Sequence, residues 1–404
     1  RRLPLPGVTP NRCKSTTRQA VANPLWKQEG LPRTRRFGVY LCGMAHTTTL
    51  WREPGSTAIQ YIDQRYLPHW LEVRTATGYR QIVKAIQDME VRGAPLIGVS
   101  AAYGLFLAAH EALALAPAEF EPFLEQAYAE LAEARPTAVN LHWALAQQRQ
   151  AIRGLQDPEA IAAQLLDNAD RLRSQDIDTC RRIGETGLAI IEALHAAHPD
   201  RPVEILTHCN AGWLGCIEWG TATSPIYQAH ARGIPVHVWV DETRPRNQGA
   251  NLTAWELGQR GIPHDLIADN TGGYLMQTRR VDLCIVGCDR VTRRGDVANK
   301  IGTYLKALAA ADTGVPFYVA LPTSTIDWNM TDGLAEIPIE MRNPDEVLTV
   351  QGLTPAGELT TVRVAPPDTP AVNYGFDLTP ARLVTAFITE KGLFAPTDLH
   401  LLNP

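Results

Sequence analysis

The stretch VEILTHCNAG at residues 203–212 joins a short apolar run to three polar residues that follow it directly. Residues 203–207 predict a buried strand, because a run of four to eight apolar residues bounded by turn signals is typical of a sheet interior. His208, Cys209 and Asn210 then stand where that strand ends. The same arrangement recurs four times further along the chain.

Apolar strands alternate with helical segments on the carboxyl side of this stretch. This alternation predicts a parallel sheet with helices on both faces. In such sheets ligands bind beyond the carboxyl ends of the strands. The predicted strands are 203–207, 236–240, 265–268, 283–286 and 317–320, and the predicted helices between them are 219–232, 252–260, 271–278 and 300–313.

Polar residues cluster after each of these strands. Helix caps and turns account for one or two such clusters. Five clusters at one predicted edge of a sheet indicate an active site. The clusters are His208, Cys209 and Asn210; Asp241, Glu242, Thr243 and Arg244; Asp269 and Asn270; Asp289 and Arg290; and Thr323, Ser324, Thr325 and Asp327.

The chain before residue 198 has a different rhythm. Residues 44–75 read as short strands and turns, and residues 77–197 are nearly all helical by their apolar spacing, with a break near Asp176 left open. We therefore predict an α/β protein with a mainly helical N-terminal domain at 44–197 and a Rossmann-like, parallel-sheet catalytic domain at 198–404. An amphipathic helix is expected at 380–388.

Charge is distributed unevenly along the 404 residues. The whole chain carries 38 basic and 43 acidic side chains, which argues against a nucleic-acid-binding protein. Residues 1–43 have a net charge of +8, and residues 44–404 have −13. We interpret 1–43 as a disordered or non-native leader before a true start at Met44. A transit peptide and a basic nucleic-acid-binding arm are weaker alternatives. No run of ~18 apolar residues predicts a membrane span.

The seven cysteines are few, odd in number and scattered, which is typical of reduced thiols in a cytosolic protein. There is no Cys-x-x-Cys motif. Cys284 and Cys288 read as core residues of one strand. A zinc site that joins them to Cys209 or Cys216 is the less favoured alternative, and we expect no metal.

Two of the polar clusters contain groups suited to acid–base chemistry. Cys209 is either a small buried apolar residue or a thiol whose pKa is lowered by nearby cations or helix N-termini. Asp289 follows a very apolar strand, so we expect it to be partly desolvated. Desolvation raises the pKa of a carboxyl group, as a general acid near neutral pH requires.

Other residues predict a site for a phosphate-bearing ligand between the two halves of the chain. Asn299 and Lys300 precede a predicted helix, and Arg92-Gly93-Ala94 opens another, so both places favour anions. Arg135 and Gln248 are further donors. The chain lacks a Walker A loop, a Gly-x-Gly-x-x-Gly fingerprint and a Gly-x-Ser-x-Gly elbow, which argues against an ATPase, a dehydrogenase or a common hydrolase.

Taken together, these motifs resemble the 5-methylthioribose-1-phosphate isomerase family of methionine salvage. The likeness runs from about residue 58 to residue 392. The motifs that carry it are RGAPLIG at 92–98, RPTAVNL at 135–141, THCNAG at 207–212, VDETRP at 240–245, QGA at 248–250, DN at 269–270, GCDR at 287–290 and GDVANKIGT at 295–303.

The resemblance implies an aldose–ketose isomerase with a helical domain on a Rossmann-like domain, forming a cytoplasmic homodimer. It implies no cofactor, no nucleic-acid partner and no membrane. Cys209 and Asp289 match the family's catalytic pair. Two departures from the family pattern lie near them: Cys288 replaces a usual Ala, and the Trp213–Cys216 run replaces smaller, more polar residues. The family's substrate contacts match Arg92, Gly93, Ala94, Arg135, Gln248, Asn299 and Lys300.

Two competing functions remain open at the level of sequence. One is an isomerase for another phosphorylated pentose, in which a second phosphate replaces the methylthio group. An apolar pocket wall, for which Trp213 is a candidate, favours the thioether. The other is a non-catalytic regulatory subunit of the translation-initiation exchange factor. Retention of both Cys209 and Asp289 argues against that function, because a binding module needs neither.

All recognisable motifs lie after Met44, so we predict that residues 1–43 are dispensable. Protein that starts at Met44 should fold and turn over methylthioribose 1-phosphate like the full chain. Steady-state kinetics and thermal melts of the two proteins measure this. A marked loss of activity on truncation would show that the basic segment has a function.

Overall fold

The stretch that begins at Val203 forms an interior strand of a seven-stranded sheet in the computed structural model, which describes residues 48–136 and 138–403. Within Met44–Pro404, which is one compact unit, the predicted division at residue 198 stays a prediction. The predicted leader at 1–43 lies outside the described residues. No helix in the described part of the chain is long and apolar enough to cross a membrane.

The polypeptide before the sheet begins with three short antiparallel strands and continues as helices. The second helix is almost wholly buried, with Pro95 in its first turn. The fifth runs for 40 residues without the suggested break near Asp176. The elements are β1 (Leu50–Arg52), β2 (Ile59–Ile62), β3 (Val73–Ala76), α1 (Tyr79–Gln87), α2 (Ala94–Ala112), α3 (Pro117–Glu133), α4 (Val139–Ala151) and α5 (Pro158–Ala197).

Strands and helices alternate after α5, as the sequence predicts. The strands are β4 (Val203–Thr207), β5 (Val236–Asp241), β6 (His264–Ile267), β7 (Leu283–Val286), β8 (Arg290–Thr292), β9 (Val297–Lys300), β10 (Phe317–Ala320), β11 (Ile326–Asp327), β12 (Thr349–Leu353), β13 (Leu359–Arg363), β14 (Phe376–Thr379), β15 (Ala386–Thr389) and β16 (Gly392–Phe394). The helices are α6 (Ser224–Ala231), α7 (Ala254–Gln259), α8 (Thr271–Gln277), α9 (Thr303–Thr313), α10 (Gly333–Glu336) and α11 (Asp345–Leu348).

The strands of the large sheet lie in the order β16-β15-β10-β7-β4-β5-β6. Every neighbouring pair from β15 to β6 is parallel, and only β16 runs antiparallel to its neighbour β15. The chain winds from β4 outward to β6 and then returns to β7 on the other side of β4. The mixed α/β fold with a parallel sheet is therefore confirmed. The reversal of winding opens a crevice at the carboxyl ends of β4 and β7.

The predicted bounds of two helices extend too far toward the N-terminus. The helix predicted at 219–232 begins at Ser224, because Trp219 and Gly220 have φ values of +67° and +79°, which a right-handed helix does not allow. The helix predicted at 300–313 begins at Thr303, because residues 297–300 form β9.

The helix expected at 380–388 is wrong. A single turn of 3₁₀-helix covers Ala381–Leu383, and β15 then enters the large sheet beside β10. Short apolar runs are ambiguous between the two periods. Here pairing with β10 favours the strand, and all four residues of β15 are buried.

A partly buried clamp fixes the starting ends of β4 and β7. The Arg201 guanidinium donates two hydrogen bonds of 2.7 Å to the Asp282 carboxylate, and the Glu204 backbone N–H donates a third at 2.9 Å. Burial tends to raise the pKa of Asp282, but these donors outweigh it and the pKa is lowered. Since β4 leads to Cys209 and β7 leads to Asp289, the clamp helps to set how those residues lie relative to one another.

We predict that Asp282→Asn destabilises the protein by about 1–2 kcal/mol at pH 7, because the paired, charge-assisted hydrogen bonds from Arg201 to the carboxylate are lost. The loss is no larger because solvent partly screens the charge of Arg201. A carboxyl with a lowered folded pKa stabilises the protein above its unfolded pKa, and that stabilisation is lost as the pH falls through the folded value. The difference in free energy of unfolding should therefore shrink as the pH falls below about 4. Denaturant titrations at several pH values measure it. Asp312→Asn, exposed on α9, is the control, and an equal pH dependence in the two variants would contradict the clamp.

Candidate active site

The nine residues predicted to form the site line one cavity at the carboxyl ends of β4 and β7. The cavity encloses about 1140 Å³, including its open mouth. Arg92 and Lys300, the first and last of these residues, are more than 200 positions apart in the sequence, and the fold brings them together. The predicted residues that line it are Arg92, Gly93, Ala94, Arg135, Cys209, Gln248, Asp289, Asn299 and Lys300.

Cys209 stands at the end of β4 in an unusual backbone conformation. Its φ is +68°, in the left-handed region that non-glycine residues rarely adopt. Two threonine hydroxyls hold it there: the Cys209 N–H donates to Thr243 Oγ1 at 2.8 Å, and its carbonyl accepts from Thr253 Oγ1 at 2.7 Å. Thr243 itself has a φ of +66°. Such conformations persist where the surroundings over-determine them, as they do at many functional sites.

Arg92 anchors the residue that follows Cys209. Its guanidinium donates to the carbonyl of Asn210 at 3.0 and 3.1 Å, to the side-chain oxygen of Asn210, and to Gln64 Oε1 at 3.2 Å. The Asn210 amide in turn donates to Glu256 Oε1 at 3.1 Å. Arg92 therefore links the start of α2 to the Cys209 loop, so a good part of its donor capacity serves the protein rather than a ligand.

Glu256 lies beneath this loop and is completely buried. Its carboxylate also accepts hydrogen bonds from the Leu214 N–H at 2.8 Å and from the Tyr227 hydroxyl at 2.7 Å. A Cβ on Gly212 would lie 1.6 Å from Glu256 Oε2, so only glycine allows the loop to approach so closely. Glu256 is not among the site residues predicted from the sequence. The only signal for it in the sequence is that an acidic residue stands inside a short apolar helix.

Asp289 has the environment predicted for it. It follows β7 and Cys288, and its backbone N–H donates to the Ala298 carbonyl at 3.0 Å. Burial raises the pKa of its carboxyl group, whereas the nearby charges of Lys300, Arg135 and Arg92 oppose that rise. The direction of the predicted shift is therefore confirmed, and burial is the cause.

Of the two states predicted for Cys209, the structure does not favour the reactive one, a thiol with a lowered pKa. Burial raises its pKa, and the cations Lys300 and Arg92 only partly offset this. Burial therefore favours the thiol of Cys209 over its thiolate. Position after a strand does not reveal how much water reaches a side chain, which is why the sequence could not decide between the two states.

Lys300 and Asn299 reach the cavity from a strand rather than from a helix N-terminus, so that part of the prediction is wrong. Lys300 Nζ donates to the Gly375 carbonyl at 3.1 Å and lies 4.9 Å from the centroid of the Phe376 ring. Burial lowers its pKa, although Cys209 and Asp289 oppose that change. The Asn299 amide donates to Thr303 Oγ1 at 3.0 Å, at the start of α9.

Arg135 and Gln248 present buried polar atoms that have no hydrogen-bond partner among the residues that the structure describes, namely Arg135 Nε and Gln248 Oε1. Arg135 Nη2 donates to Glu340 Oε2 at 3.2 Å. Unpaired buried polar groups are costly, and a ligand is one way to satisfy them. One free donor and one free acceptor suit a ligand that carries both phosphate oxygens and hydroxyl groups.

The two departures from the family pattern differ in where they lie. Cys288 lines the cavity beside Asp289, and burial raises its pKa well above the ordinary thiol value. Trp213 is 1% exposed, packs against Trp255 and is not among the cavity-lining residues, so it does not supply the expected apolar wall. The apolar lining comes instead from residues that the sequence analysis did not select: Met89, Ile97, Ala138, Ile337, Ile339 and Phe376.

Among the described residues, one group of three offers metal-ligand atoms close together. His208, Asp241 and Asp269 place such atoms within 4.8 Å of one another. Lys306 Nζ lies 3.1 Å from Asp241 Oδ2, so an ammonium group already supplies positive charge at this place. The alternative zinc site is not formed by the described residues, because the Cys284 side chain is buried in the core.

Comparison with known proteins places these residues in a family context. Residues 90–396 match the model of the Initiation factor 2 subunit family. The methylthioribose-1-phosphate isomerase of Rhodospirillum centenum is 54% identical to this chain over 353 residues, which are 87% of this chain and 92% of that protein.

Solved structures give the same picture. The crystal structure of 5-methylthioribose 1-phosphate isomerase from Pyrococcus horikoshii OT3 superposes with a TM-score of 0.75 at 37% identity, covering 88% of this chain and 96% of the other. The structure of translation initiation factor eIF-2B subunit delta from A. fulgidus has a TM-score of 0.72 at 35% identity, covering 87% and 99%. The fold is thus shared by proteins whose names indicate different functions. Function must therefore be argued from the residues of the site and not from the fold.

Proposed function

The chain belongs to the Initiation factor 2 subunit family and, within it, to the methylthioribose-1-phosphate isomerases, and from this membership we propose how its cavity performs the reaction. It converts methylthioribose 1-phosphate, an aldose, into the ketose methylthioribulose 1-phosphate in methionine salvage. The observation that carries the mechanism is the presence of Cys209 and Asp289, both partly buried, in one cavity with Arg92, Arg135 and Lys300.

The phosphate on carbon 1 makes this isomerisation difficult. It blocks the anomeric carbon, so the sugar cannot open to a free aldehyde. Asp289 acts as the acid that opens the ring, in its protonated form, which burial favours. It donates its proton to the ring oxygen, and the bond between carbon 1 and that oxygen breaks. The resulting carboxylate then accepts the proton of the hydroxyl on carbon 2 as the ketone forms, which restores the acid.

Cys209 acts where hydrogen moves from carbon 2 to carbon 1. In one route its thiolate takes the proton from carbon 2 and returns it to carbon 1. In the other, the hydrogen migrates directly as a hydride in a dry pocket beside the thiol. The raised pKa of Cys209 makes the thiolate the minor form in the empty site. Deuterium from solvent at carbon 1 of the product would identify the proton route, and complete retention of the original hydrogen would identify the hydride route.

The remaining lining residues divide between the two ends of the substrate. The unpartnered Nε of Arg135 and the buried ammonium of Lys300 favour the phosphate, and Gln248 and Asn299 favour the sugar hydroxyls. Ile337, Ile339 and Phe376 give the apolar wall that a thioether prefers. A second phosphate in place of the methylthio group would meet that wall, which argues against a bisphosphate substrate.

The finer features of the architecture follow the same reasoning. The reversal of winding at β4 supports a Rossmann-like catalytic domain after a helical N-terminal domain. Five free cysteines among the described residues support a reducing compartment such as the cytoplasm. Leu266, Tyr274 and Leu305 are each more than half exposed on β6, α8 and α9, which supports burial of this face in a homodimer.

We predict that purified protein turns over methylthioribose 1-phosphate and that Cys209→Ser and Asp289→Asn each lower kcat by about 10²–10⁴-fold without unfolding the protein. The reason is that each removes a group that handles a proton or developing charge at the reacting carbons. Steady-state kinetics together with circular dichroism measure this. Cys284→Ser is the matched control, because Cys284 lies buried in β7 and its side chain does not line the cavity. Near-normal kcat in either site variant would contradict the assigned roles.

The pH profile should identify Asp289 as the acid. Its protonated form is the active one, so kcat/KM should fall as the pH rises through its pKa, which burial places above the ordinary carboxyl range. In Asp289→Asn this falling limb should be absent from the residual activity. Measurements of kcat/KM across the pH range in wild type and variant decide the point, and an unchanged limb in the variant would assign the acid to another group.

A further inference from the structure

We propose that His208 is a positioning residue for the isomerisation: its ring has a partner at each nitrogen and ties the loop of Cys209 to the end of β5 on one side and to the turn after Lys300 on the other. This inference rests on the proposed function of Cys209. It concerns a residue that does not act on the substrate but fixes the geometry of those that do.

Both ring nitrogens of His208 have partners, although the ring is buried. Nδ1 lies 2.8 Å from Asp241 Oδ2, at the end of β5, and Nε2 lies 2.9 Å from the carbonyl oxygen of Ile301. The residue as a whole is only 1% exposed. Ile301 follows Lys300 directly, so one side chain spans the distance from the loop of Cys209 to the turn beside Lys300.

The partners of the ring fix its orientation. Nε2 faces the backbone carbonyl of Ile301, which only accepts hydrogen bonds, so the N–H of Nε2 makes this contact. Asp241 Oδ2, the partner of Nδ1, also lies 3.1 Å from Lys306 Nζ, so the carboxylate that holds the ring is itself held from α9.

Charged groups from several elements surround the ring. Asp241 and Asp269 face it from the ends of β5 and β6, with Asp269 Oδ1 4.0 Å from Nδ1. Lys306 reaches the Asp241 carboxylate from α9 and donates to the Asp269 backbone carbonyl. Beyond the Ile301 carbonyl, Asp377 on β14 accepts from the Gly302 N–H at 2.7 Å. The two partners of the ring are therefore themselves held in place.

Gly302 makes the contact with Ile301 possible. Its φ is +104°, and a Cβ added there would lie 2.9 Å from His208 Cε1 and 3.0 Å from Nε2. Any side chain at position 302 would therefore push the ring off the carbonyl. The three atoms nearest to that added Cβ all belong to the His208 ring.

The same network holds the strained backbone of Cys209. Thr243, which accepts the Cys209 N–H, donates its hydroxyl to the Asp241 carbonyl at 3.1 Å and its N–H to Asp269 Oδ1 at 2.7 Å. His208 precedes Cys209 and bonds to the Asp241 carboxylate. Release of the His208 ring would free the residue before Cys209 and also loosen the segment of Asp241 and Thr243 that accepts the Cys209 N–H. The sulfur of Cys209 would then lose its fixed place relative to Lys300.

A pair of histidine variants tests the proposal. Glutamine at position 208 cannot donate in two opposite directions, so His208→Gln should lower kcat by about 10²-fold, as small misplacements of reacting groups do, with KM changed far less. His237→Gln is the matched control. His237 also bonds to two carboxylates, those of Glu204 and Asp265, but it lies near the opposite end of β5, and its variant should keep wild-type kcat.

A pair of glycine variants displaces the ring without changing any charge. Gly302→Ala should lower kcat as His208→Gln does. Gly314→Ala, at the other end of α9, has a similarly positive φ of +76° but no neighbour within 4 Å of the added Cβ, so it should leave kcat unchanged. This pair keeps the proposal testable if His208→Gln fails to fold.

Two measurements separate positioning from a merely structural role. In protein labelled with ¹⁵N-histidine, the ring signals that disappear in His208→Gln should shift in Gly302→Ala and stay unchanged in Gly314→Ala. The rate of alkylation of Cys209 by iodoacetamide should change in both variants and in neither control. Unchanged ring signals in Gly302→Ala, or wild-type kcat and alkylation in both variants, would overturn the inference.

The outcomes also separate this inference from the proposed function. Absence of turnover in wild-type protein would refute the isomerase mechanism, but the ring signals and the alkylation of Cys209 would still decide whether His208 positions that loop. Turnover in wild type that persists unchanged in Gly302→Ala and His208→Gln would refute the positioning role and leave the isomerase intact.

Discussion

A buried arginine holds the active site together. Arg92 stands at the start of α2 and reaches across to the loop after β4, where its planar guanidinium donates to the backbone and side chain of Asn210. A guanidinium can be buried only when its donors are satisfied. The fork therefore fixes the distance between the helical part of the chain and the loop that carries Cys209. Glu256 completes the chain of contacts from below.

Burial explains the acid–base character of the site better than any single neighbouring charge does. It raises the pKa of Asp289 and of Cys209, and it lowers the pKa of Lys300. Each shift favours the neutral form of the group. A cavity with these properties favours the protonated form of Asp289, on which its proposed role as the ring-opening acid depends. Arg135 and Lys300 line the same cavity and would meet the phosphate of the proposed substrate.

Much of the fold could be predicted because its strands are short, apolar and bounded by turns. β4, β7 and β10 begin and end where the sequence predicts. The prediction failed where local pattern and tertiary pairing compete. β15 has the spacing of an amphipathic helix, and only its position beside β10 makes it a strand. β9 was hidden for the same reason, since its residues precede a helix and pair with the short strand β8 and with β14, which lies far away in sequence.

The site shows the same division between sequence and structure. The sequence pattern was enough to predict which residue types meet at the carboxyl edge of the sheet, because parallel strands end on one side and the polar residues follow them directly. The folded chain was needed to show that burial raises the pKa of Cys209, that Trp213 lies outside the cavity, and that both ring nitrogens of His208 have partners. Protonation and orientation depend on solvent access and on partners distant along the chain. Neither is encoded in the local order of residues, so only the folded chain fixes them.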